Sequence, residues 1–302
     1  MIRQPLRPAV LEAERLLAEA GVDSPRADAE LLAAHVLGVQ RGRLPLVPGI
    51  DESGAERLRD LVRQRAGRVP LQHILGWAPM GAITVAVGPG VFVPRPETEL
   101  LAEWGLARLR GVRAPVVVDL CTGSGVLALT LANARPDAVV HAVERDDAAL
   151  SWARRNAESR AGHGDTPVRL HRGDVTDPAL LTELDGAVDL VVCNPPYVPD
   201  STPVQPEVAD HDPRAAVFGG PDGLDVIRHV VALAARLLRQ GGHLAVEHDD
   251  TQGESVPALL RASGAYEDVR DHEDLANRPR YATARRELSV QAPRVERSGT
   301  TS

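Results

Sequence analysis

The sequence predicts an α/β protein, a doubly wound sheet of mostly parallel strands that follows a small N-terminal helical domain. Three observations carry that expectation. From residue 115 onward, apolar strand-like runs alternate with helical stretches, as right-handed β-α-β crossovers require. The first run, "PVVVDL", is apolar up to its Asp, as a strand buried on both faces should be. Residues 8 to about 75 instead repeat apolar side chains at helical spacing.

Taken in order, "RPAVLEAERLLAEAG" reads as a helix that stops at Gly21, a suitable C′ residue. "SPRADAELLAAHVLG" opens with Ser24 as N-cap and Pro25 at N1, then ends at Gly38. A third helix, about 53 to 66, carries Arg57, Arg59, Arg63 and Arg65, which read as a solvated face. Residues 1–75 are thus expected to form one helical domain. Residues 76–94 interleave Gly and Pro with β-branched runs and predict a β-hairpin connector. "RPETELLAEWGLARLR" starts a helix with Pro96 at N1 and Glu97 and Glu99 in an acidic first turn. The sheet domain is expected over 95–287. Its further strands are "AVVHAVE", "VRLHRGD", "VDLVVCN" and "GHLAVEH", closed by the pair "AYEDVRDHED" and "RYATARRE". The tail, 288–302, lacks periodicity and reads as disordered.

Composition excludes several chemistries. All 34 basic residues are Arg, and a Walker-A loop, a kinase-type ATP site or a Schiff-base enzyme each needs a Lys. The net charge of -8 counts against a protein that grips nucleic acid by bulk electrostatics. Cys121 and Cys193 form no CxxC pair and read as small buried thiols. The ten histidines show no HxxxH or HExxH spacing, so no metal is expected, and no G-x-S-x-G elbow supports a hydrolase. Glu12 and Glu14 interrupt any signal-like apolar run, and no apolar run approaches the roughly 20 residues of a membrane span. A cytoplasmic protein without membrane partners is expected.

Ligands of open α/β sheets bind at the carboxyl ends of the strands. The candidate loop is "DLCTGSGVLA", which contributes Asp119, Cys121, Thr122, Gly123, Ser124 and Gly125. Gly123 and Gly125 permit a tight turn and close backbone approach. Glu144 ends the next strand and is placed to accept ribose hydroxyls; Asp174 ends the third and suits an adenine amino group, with Val175 over the ring. The same loop fits the dinucleotide fingerprint G-x-G-x-x-A. Asp119 favours a ligand carrying an ammonium group, such as S-adenosylmethionine, over one carrying a pyrophosphate.

"VVCNPPYVP" ends the fourth strand in Asn194-Pro195-Pro196-Tyr197. A planar amide or nucleobase amino group is a poor nucleophile, because its lone pair is delocalised. A site that holds both its N–H groups with acceptors overcomes that. Asn194 offers a side-chain oxygen and Pro195 a carbonyl, while the prolines bring no competing N–H. Tyr197 offers a flat face, and Pro196 stiffens the turn. Preorganised acceptors of this kind stabilise a transition state without reorganising. Asn194 also stands beside the donor. No general base is needed, because the methylated nitrogen becomes acidic.

The segments "RADAELL", "PLQHILG", "FVPRPETELL", "DLCTGSG", "NPPYVP", "VFGGPDGLDVIR" and "GGHLAVEH" resemble the protein-glutamine methyltransferases, and within them the peptide-chain release factor enzymes of the HemK/PrmC group. The resemblance spans nearly the whole chain. It implies a Rossmann-like class I S-adenosylmethionine-dependent methyltransferase sheet. It implies methyl transfer to the N(5) amide nitrogen of the glutamine in the Gly-Gly-Gln motif of release factors, with the helical domain engaging that protein substrate. His73, Met80, Ile83, Cys121, Asp212 and Asp249 depart from the family's commoner residues. The rival readings are glutamine methylation of a large-subunit ribosomal protein and adenine methylation of nucleic acid, although direct nucleic-acid binding is not expected. An NAD-dependent oxidoreductase has no use for Asn194-to-Tyr197, nor has a non-catalytic binding module. The long polar segment 200–223 reads as a lid or substrate-contact loop.

Overall fold

The computed structural model of the protein describes residues 3–287; the tail expected to be disordered, 288–302, lies outside the described residues. The chain opens with strand β1 (Arg3–Pro5) and helices α1 (Leu6–Glu19) and α2 (Pro25–Leu37). Strand β2 (Gly49–Asp51) then leads into α3 (Glu52–Ala66), followed by the short α4 (Leu71–Leu75). Leu17, Leu32, Leu58 and Val62 close an apolar core between the first three helices. Gly38 ends α2 in the left-handed conformation, as its position in the sequence predicts. The antiparallel pair β1–β2 was not anticipated, because three-residue strands leave no periodicity to read.

The solvated reading of Arg65 is corrected. Arg65 is buried, with Nε 2.7 Å from Asp28 of α2 and Nη1 2.8 Å from Glu207. Glu207 also takes Arg68 at 2.6 Å. One helical face therefore carries a guanidinium inward, because two carboxylates from distant segments neutralise it there.

Strands β3 (Trp77–Met80) and β4 (Ile83–Ala86) pair antiparallel. A 3-10 turn over Pro96–Thr98 precedes helix α5 (Glu99–Arg108). The alternating part follows: β5 (Val116–Leu120), α6 (Val126–Ala134), β6 (Val139–Glu144), α7 (Asp147–Gly162), β7 (Arg169–Arg172) and β8 (Val188–Cys193). Two short helices, α8 (Pro206–His211) and α9 (Arg214–Val217), come next. The chain then runs through α10 (Asp225–Leu237), β9 (Leu238–Glu247), α11 (Ser255–Ala262), β10 (Tyr266–Glu273) and β11 (Pro279–Arg286). The apolar face of the β3–β4 hairpin, with Met80, Ile83 and Val85, rests on Val126 and Leu129 of α6.

The seven-stranded sheet has the order β10-β11-β9-β8-β5-β6-β7, and β11 alone runs against its neighbours. From β5 the chain winds outward to β6 and β7, then returns to place β8 on the other side of β5. That reversal opens a crevice at the carboxyl ends of β5 and β8. Successive residues of these strands face opposite layers. Val118, Leu120, Val191 and Cys193 pack with Ile227 of α10, whereas Val117, Leu190 and Val192 pack with Leu101 of α5 and Leu131 of α6. Among the described residues no helix is long and apolar enough to cross a membrane.

The segment 200–223, expected as a lid or contact loop, contains α8 and α9 and is tied down at two points. Glu207 binds Arg65 and Arg68 of the helical part, and Asp212 accepts Arg95 at 2.7 Å and the Val93 N–H at 3.3 Å. Removing one member of a buried ion-pair set leaves its partner charge uncompensated. Glu207→Ala is therefore expected to lower stability by about 3 kcal/mol and to speed proteolytic nicking between 200 and 213. Denaturant unfolding and limited proteolysis check both, and an unchanged nicking rate would show that the anchor is dispensable.

Candidate active site

Two clefts open at the carboxyl edge of the sheet and meet at Asn194. The first is lined by the β5 loop, Glu144, Val175, Phe92 and Asn194. The second runs between the helical part and the turn after β8, with Asp28, Arg65, Leu71, Pro195, Tyr197 and Arg280 in its walls. Asn194, Phe92 and Ala216 border both.

In the first cleft Asp119 is buried at the end of β5. Its Oδ2 takes both the Thr122 hydroxyl, at 2.5 Å, and the Ala128 N–H, at 3.1 Å. Among the described residues its Oδ1 takes no hydrogen bond. Burial pushes the Asp119 carboxyl up to about 7, against the pull of those two donors. Glu144 takes the Gly123 N–H on Oε2, and the Arg145 and Asp146 N–H groups on Oε1, so it braces the loop while facing the cleft. Thr122, Gly123 and Ser124 line the cleft, and Gly125 stands behind them as the N-cap of α6. Gly123 sits at φ +57 with open space where a Cβ would lie, so a ligand can approach its backbone. Cys121 adopts φ +59, a conformation costing a side-chain-bearing residue about 1–2 kcal/mol. It is half-buried rather than buried; Cys193 is fully buried. Asp174 stands at the rim, its carboxylate taken up by the Thr176 N–H and Arg145, while its neighbours Gly173 and Val175 face the cleft.

At the junction, Asn194 Nδ2 donates to Thr98 Oγ1 at 3.0 Å. Thr98 donates in turn to Glu247 Oε2 at 2.8 Å, and the Tyr197 hydroxyl donates to Glu247 Oε1 at 3.1 Å. Glu247 is 1% exposed, and burial pushes its carboxyl up to about 7. Burial and the nearby Glu247 also push the Tyr197 phenol well up. Among the described residues neither Asn194 Oδ1 nor the Pro195 carbonyl accepts a hydrogen bond. The turn thus carries two unused acceptors on successive residues. Pro195 faces the second cleft and Pro196 the first.

The turn is held from behind. The Gly219 N–H donates to the Val198 carbonyl at 2.9 Å, and Gln252 Nε2 donates to the Tyr197 carbonyl at 3.0 Å. A Cβ at Gly219 would lie 2.6 Å from the Pro196 carbonyl oxygen, and one at Gly223 would overlap that of Tyr197. Asn156 of α7 ties the β4 backbone at Ala86 to the Ser124 carbonyl. Thr98, Glu247, Gly223, Gln252 and Asn156 belong to no motif that marks them in the sequence. Thr98 lies 96 residues from Asn194, and Glu247 lies 50 from Tyr197, so no local spacing announces the pairs.

Residues 9–76 match the family model described as PrmC N-terminal domain, and residues 83–210 match that described as Methyltransferase small domain. The chain is 56% identical over 281 residues to the release factor glutamine methyltransferase of Mycolicibacterium smegmatis, spanning 93% of this chain and 98% of that protein. It is 43% identical over 275 residues to a 4-amino-L-phenylalanine/4-methylamino-L-phenylalanine methyltransferase of Streptomyces pristinaespiralis, with 86% of this chain and 89% of that protein covered. Among solved structures, the T. thermophilus 16S rRNA N2 G1207 methyltransferase in complex with AdoMet and guanosine superposes at TM-score 0.50 and 24% identity, covering 70% of this chain and 50% of that one. That last similarity is one of fold.

The backbone packing generates a stability prediction. Gly223→Ala, at φ +73 against the Tyr197 carbonyl, is expected to cost about 2–4 kcal/mol. Gly111→Ala, at φ +79 with open space around it, should lose only the conformational part, about 1–2 kcal/mol. Equal losses in denaturant unfolding would mean that the glycine shell does not press on the turn.

Proposed function

The chain belongs to the release factor glutamine methyltransferase family, and from that premise we propose that Asn194 is where a methyl donor in the first cleft meets a glutamine side chain in the second. The protein is an S-adenosylmethionine-dependent protein-(glutamine-N5) methyltransferase. Its acceptor is the glutamine of the Gly-Gly-Gln motif in peptide-chain release factors, which places it in the cytoplasm. The observation that carries this reading is the position of Asn194, bordering both clefts with its Nδ2 held and its Oδ1 open.

The residues of the first cleft suit the donor. Asp119 keeps one carboxylate oxygen unused and open to the cleft, and burial raises its carboxyl, so a cationic ligand beside it would stabilise the ionised form. We assign that oxygen to the donor's ammonium group. Glu144 would accept the ribose hydroxyls, Val175 would cover the adenine, and Gly123 leaves room for close approach. When bound, S-adenosylmethionine supplies an electrophilic methyl group on sulfur. The chain's own residues do the rest. Asn194 Oδ1 and the Pro195 carbonyl accept the two N–H groups of the glutamine amide, so that its nitrogen turns its electron pair toward the first cleft. Tyr197 flanks the planar amide. The proton leaves the alkylated nitrogen afterwards, which removes the need for a dedicated base.

A protein acceptor is favoured by the second cleft, where Asp28, Glu207 and Asp249 stand among Arg65, Arg95 and Arg280. Carboxylates and guanidinium groups are mixed in that lining, whereas a phosphate backbone calls for a basic one. The cleft also takes one wall from the helical part, which a free amino acid would not need.

Two experiments check the reading. Labelled S-adenosylmethionine should mark the Gly-Gly-Gln peptide of a purified release factor, and Asn194→Ala should abolish transfer while leaving most donor binding. Label only on ribosomal protein, DNA or 4-aminophenylalanine would overturn the acceptor, and near wild-type turnover in Asn194→Ala would overturn the amide clamp. The second concerns pH. Asp119 is neutral below about 7 and ionised above it, and a cationic donor prefers the ionised form. Donor affinity should therefore rise between pH 5.5 and 7.5, and Asp119→Asn should bind more weakly and lose the slope. Calorimetry decides it: an unchanged slope in Asp119→Asn would assign the titration elsewhere.

A further inference from the structure

The amide clamp needs Asn194 to face the acceptor with oxygen rather than nitrogen, and shape cannot make that choice. The two ends of an Asn side chain are nearly isosteric, so a half-turn leaves packing unchanged and exchanges an acceptor for two donors. In the flipped state the NH2 group would confront the N–H groups of the glutamine amide, and the clamp would repel its substrate.

The hydrogen bonds behind Asn194 supply the missing direction. An ionised carboxylate can only accept, so Glu247 takes the protons of both the Thr98 and Tyr197 hydroxyls. Thr98 has a single hydroxyl proton, and it is committed to Glu247. Toward Asn194 its oxygen can therefore only accept, and it meets the NH2 end at 3.0 Å. The carbonyl end is left facing the clefts. We propose that Thr98 and Glu247 are positioning residues that set the orientation of the Asn194 amide by fixing the polarity of this chain of hydrogen bonds. The inference rests on the reading of Asn194 as the group that holds the acceptor amide.

The same chain predicts a dependence on protonation. A neutral Glu247 carries a proton it can donate to Thr98, which frees the Thr98 hydroxyl to donate toward Asn194 and stabilises the flipped amide. Glu247 is surrounded by Thr98 and Glu97 from the turn before α5, Tyr197 from the turn after β8, Arg280 from β11 and Cys193 at the end of β8. Arg280 favours the ionised form, whereas Glu97 and burial oppose it; burial dominates and brings the carboxyl to about 7. Turnover at saturating donor should then fall as pH drops below about 7, separately from the donor-affinity effect of Asp119.

The test measures kcat and KM from pH 5.5 to 8, at saturating donor, on the glutamine acceptor that the wild type methylates. Thr98→Val removes the hydroxyl at constant shape, and Glu247→Gln puts a donor where only an acceptor stood. Each should lower kcat about 10- to 100-fold, the scale of losing a charge-linked positioning contact, with donor affinity little changed. Thr98→Ser keeps the hydroxyl and should restore most of what Thr98→Val loses. The wild-type kcat should rise through an apparent pKa near 7, and Glu247→Gln should be flat there. Thermal melts establish that the variants are folded. Near wild-type kcat in Thr98→Val, failure of Thr98→Ser to rescue, or an unaltered profile in Glu247→Gln would each overturn the inference. A wild type that transfers no methyl group to glutamine overturns the underlying reading instead, and this role with it.

Discussion

The arrangement depends on one pairing, the parallel ladder between β5 and β8. Leu120 lies in register with Cys193, so both strands release the chain at the same level. One exit becomes the glycine loop behind Asp119, and the other becomes Asn194 and the two prolines. Adjacent parallel strands stand about 4.8 Å apart. Two turns that leave them side by side must place the glycine loop and the Asn194 turn within reach of one another. Register here is fixed by alternation, because β5 and β8 send successive residues into two different core layers, and a slip by one residue would exchange them. The closeness of the two clefts is therefore a property of the core.

Against that apolar frame, the site keeps two carboxylates where burial disfavours charge. Asp119 and Glu247 are both pushed to about 7, but their surroundings differ. Asp119 has one oxygen engaged by the loop and the other open to the cleft, which suits a cationic ligand that would stabilise its ionised form. Glu247 has both oxygens committed inward to hydroxyls, which suits a fixed reference for neighbouring dipoles. Equal titration ranges thus arise from one cause, burial, and support two different uses. The geometry of the remaining lone pairs separates them, where a pKa alone would not.

Much of this was legible in the sequence, for physical reasons that also mark the limit. The central strand β5 announced itself as an apolar run, and Gly38 as a helix end. Asn194-Pro195-Pro196-Tyr197 drew notice because two residues without N–H groups cannot belong to the interior of a strand. What stayed hidden depends on contacts between segments far apart in the chain. Arg65 looked solvated until Asp28 and Glu207 were seen to neutralise it. Cys121 looked like a small buried thiol, but it is half-buried, and its φ of +59 marks a position where glycine would be the relaxed choice. Thr98 and Glu247 are ordinary residue types at unremarkable spacing, and only the fold closes the 149 residues between them into a 2.8 Å hydrogen bond.

The segment 200–223 links the two ends of this logic. Its first part is held by Arg65 and Arg68 of the helical region, its middle by Arg95 through Asp212, and its glycines press on the carbonyls of the turn after β8. Ala216 from α9 borders both clefts. A connection tied down at two points and closely packed against the turn after β8 transmits displacement, since close-packed interiors yield little. A displacement of the helical part would thus reach Ala216, in the wall that the two clefts share. The segment is thus a tie between the helical part and the turn after β8 rather than a free lid, and the wall common to both clefts is as rigid as the ion pairs that hold it.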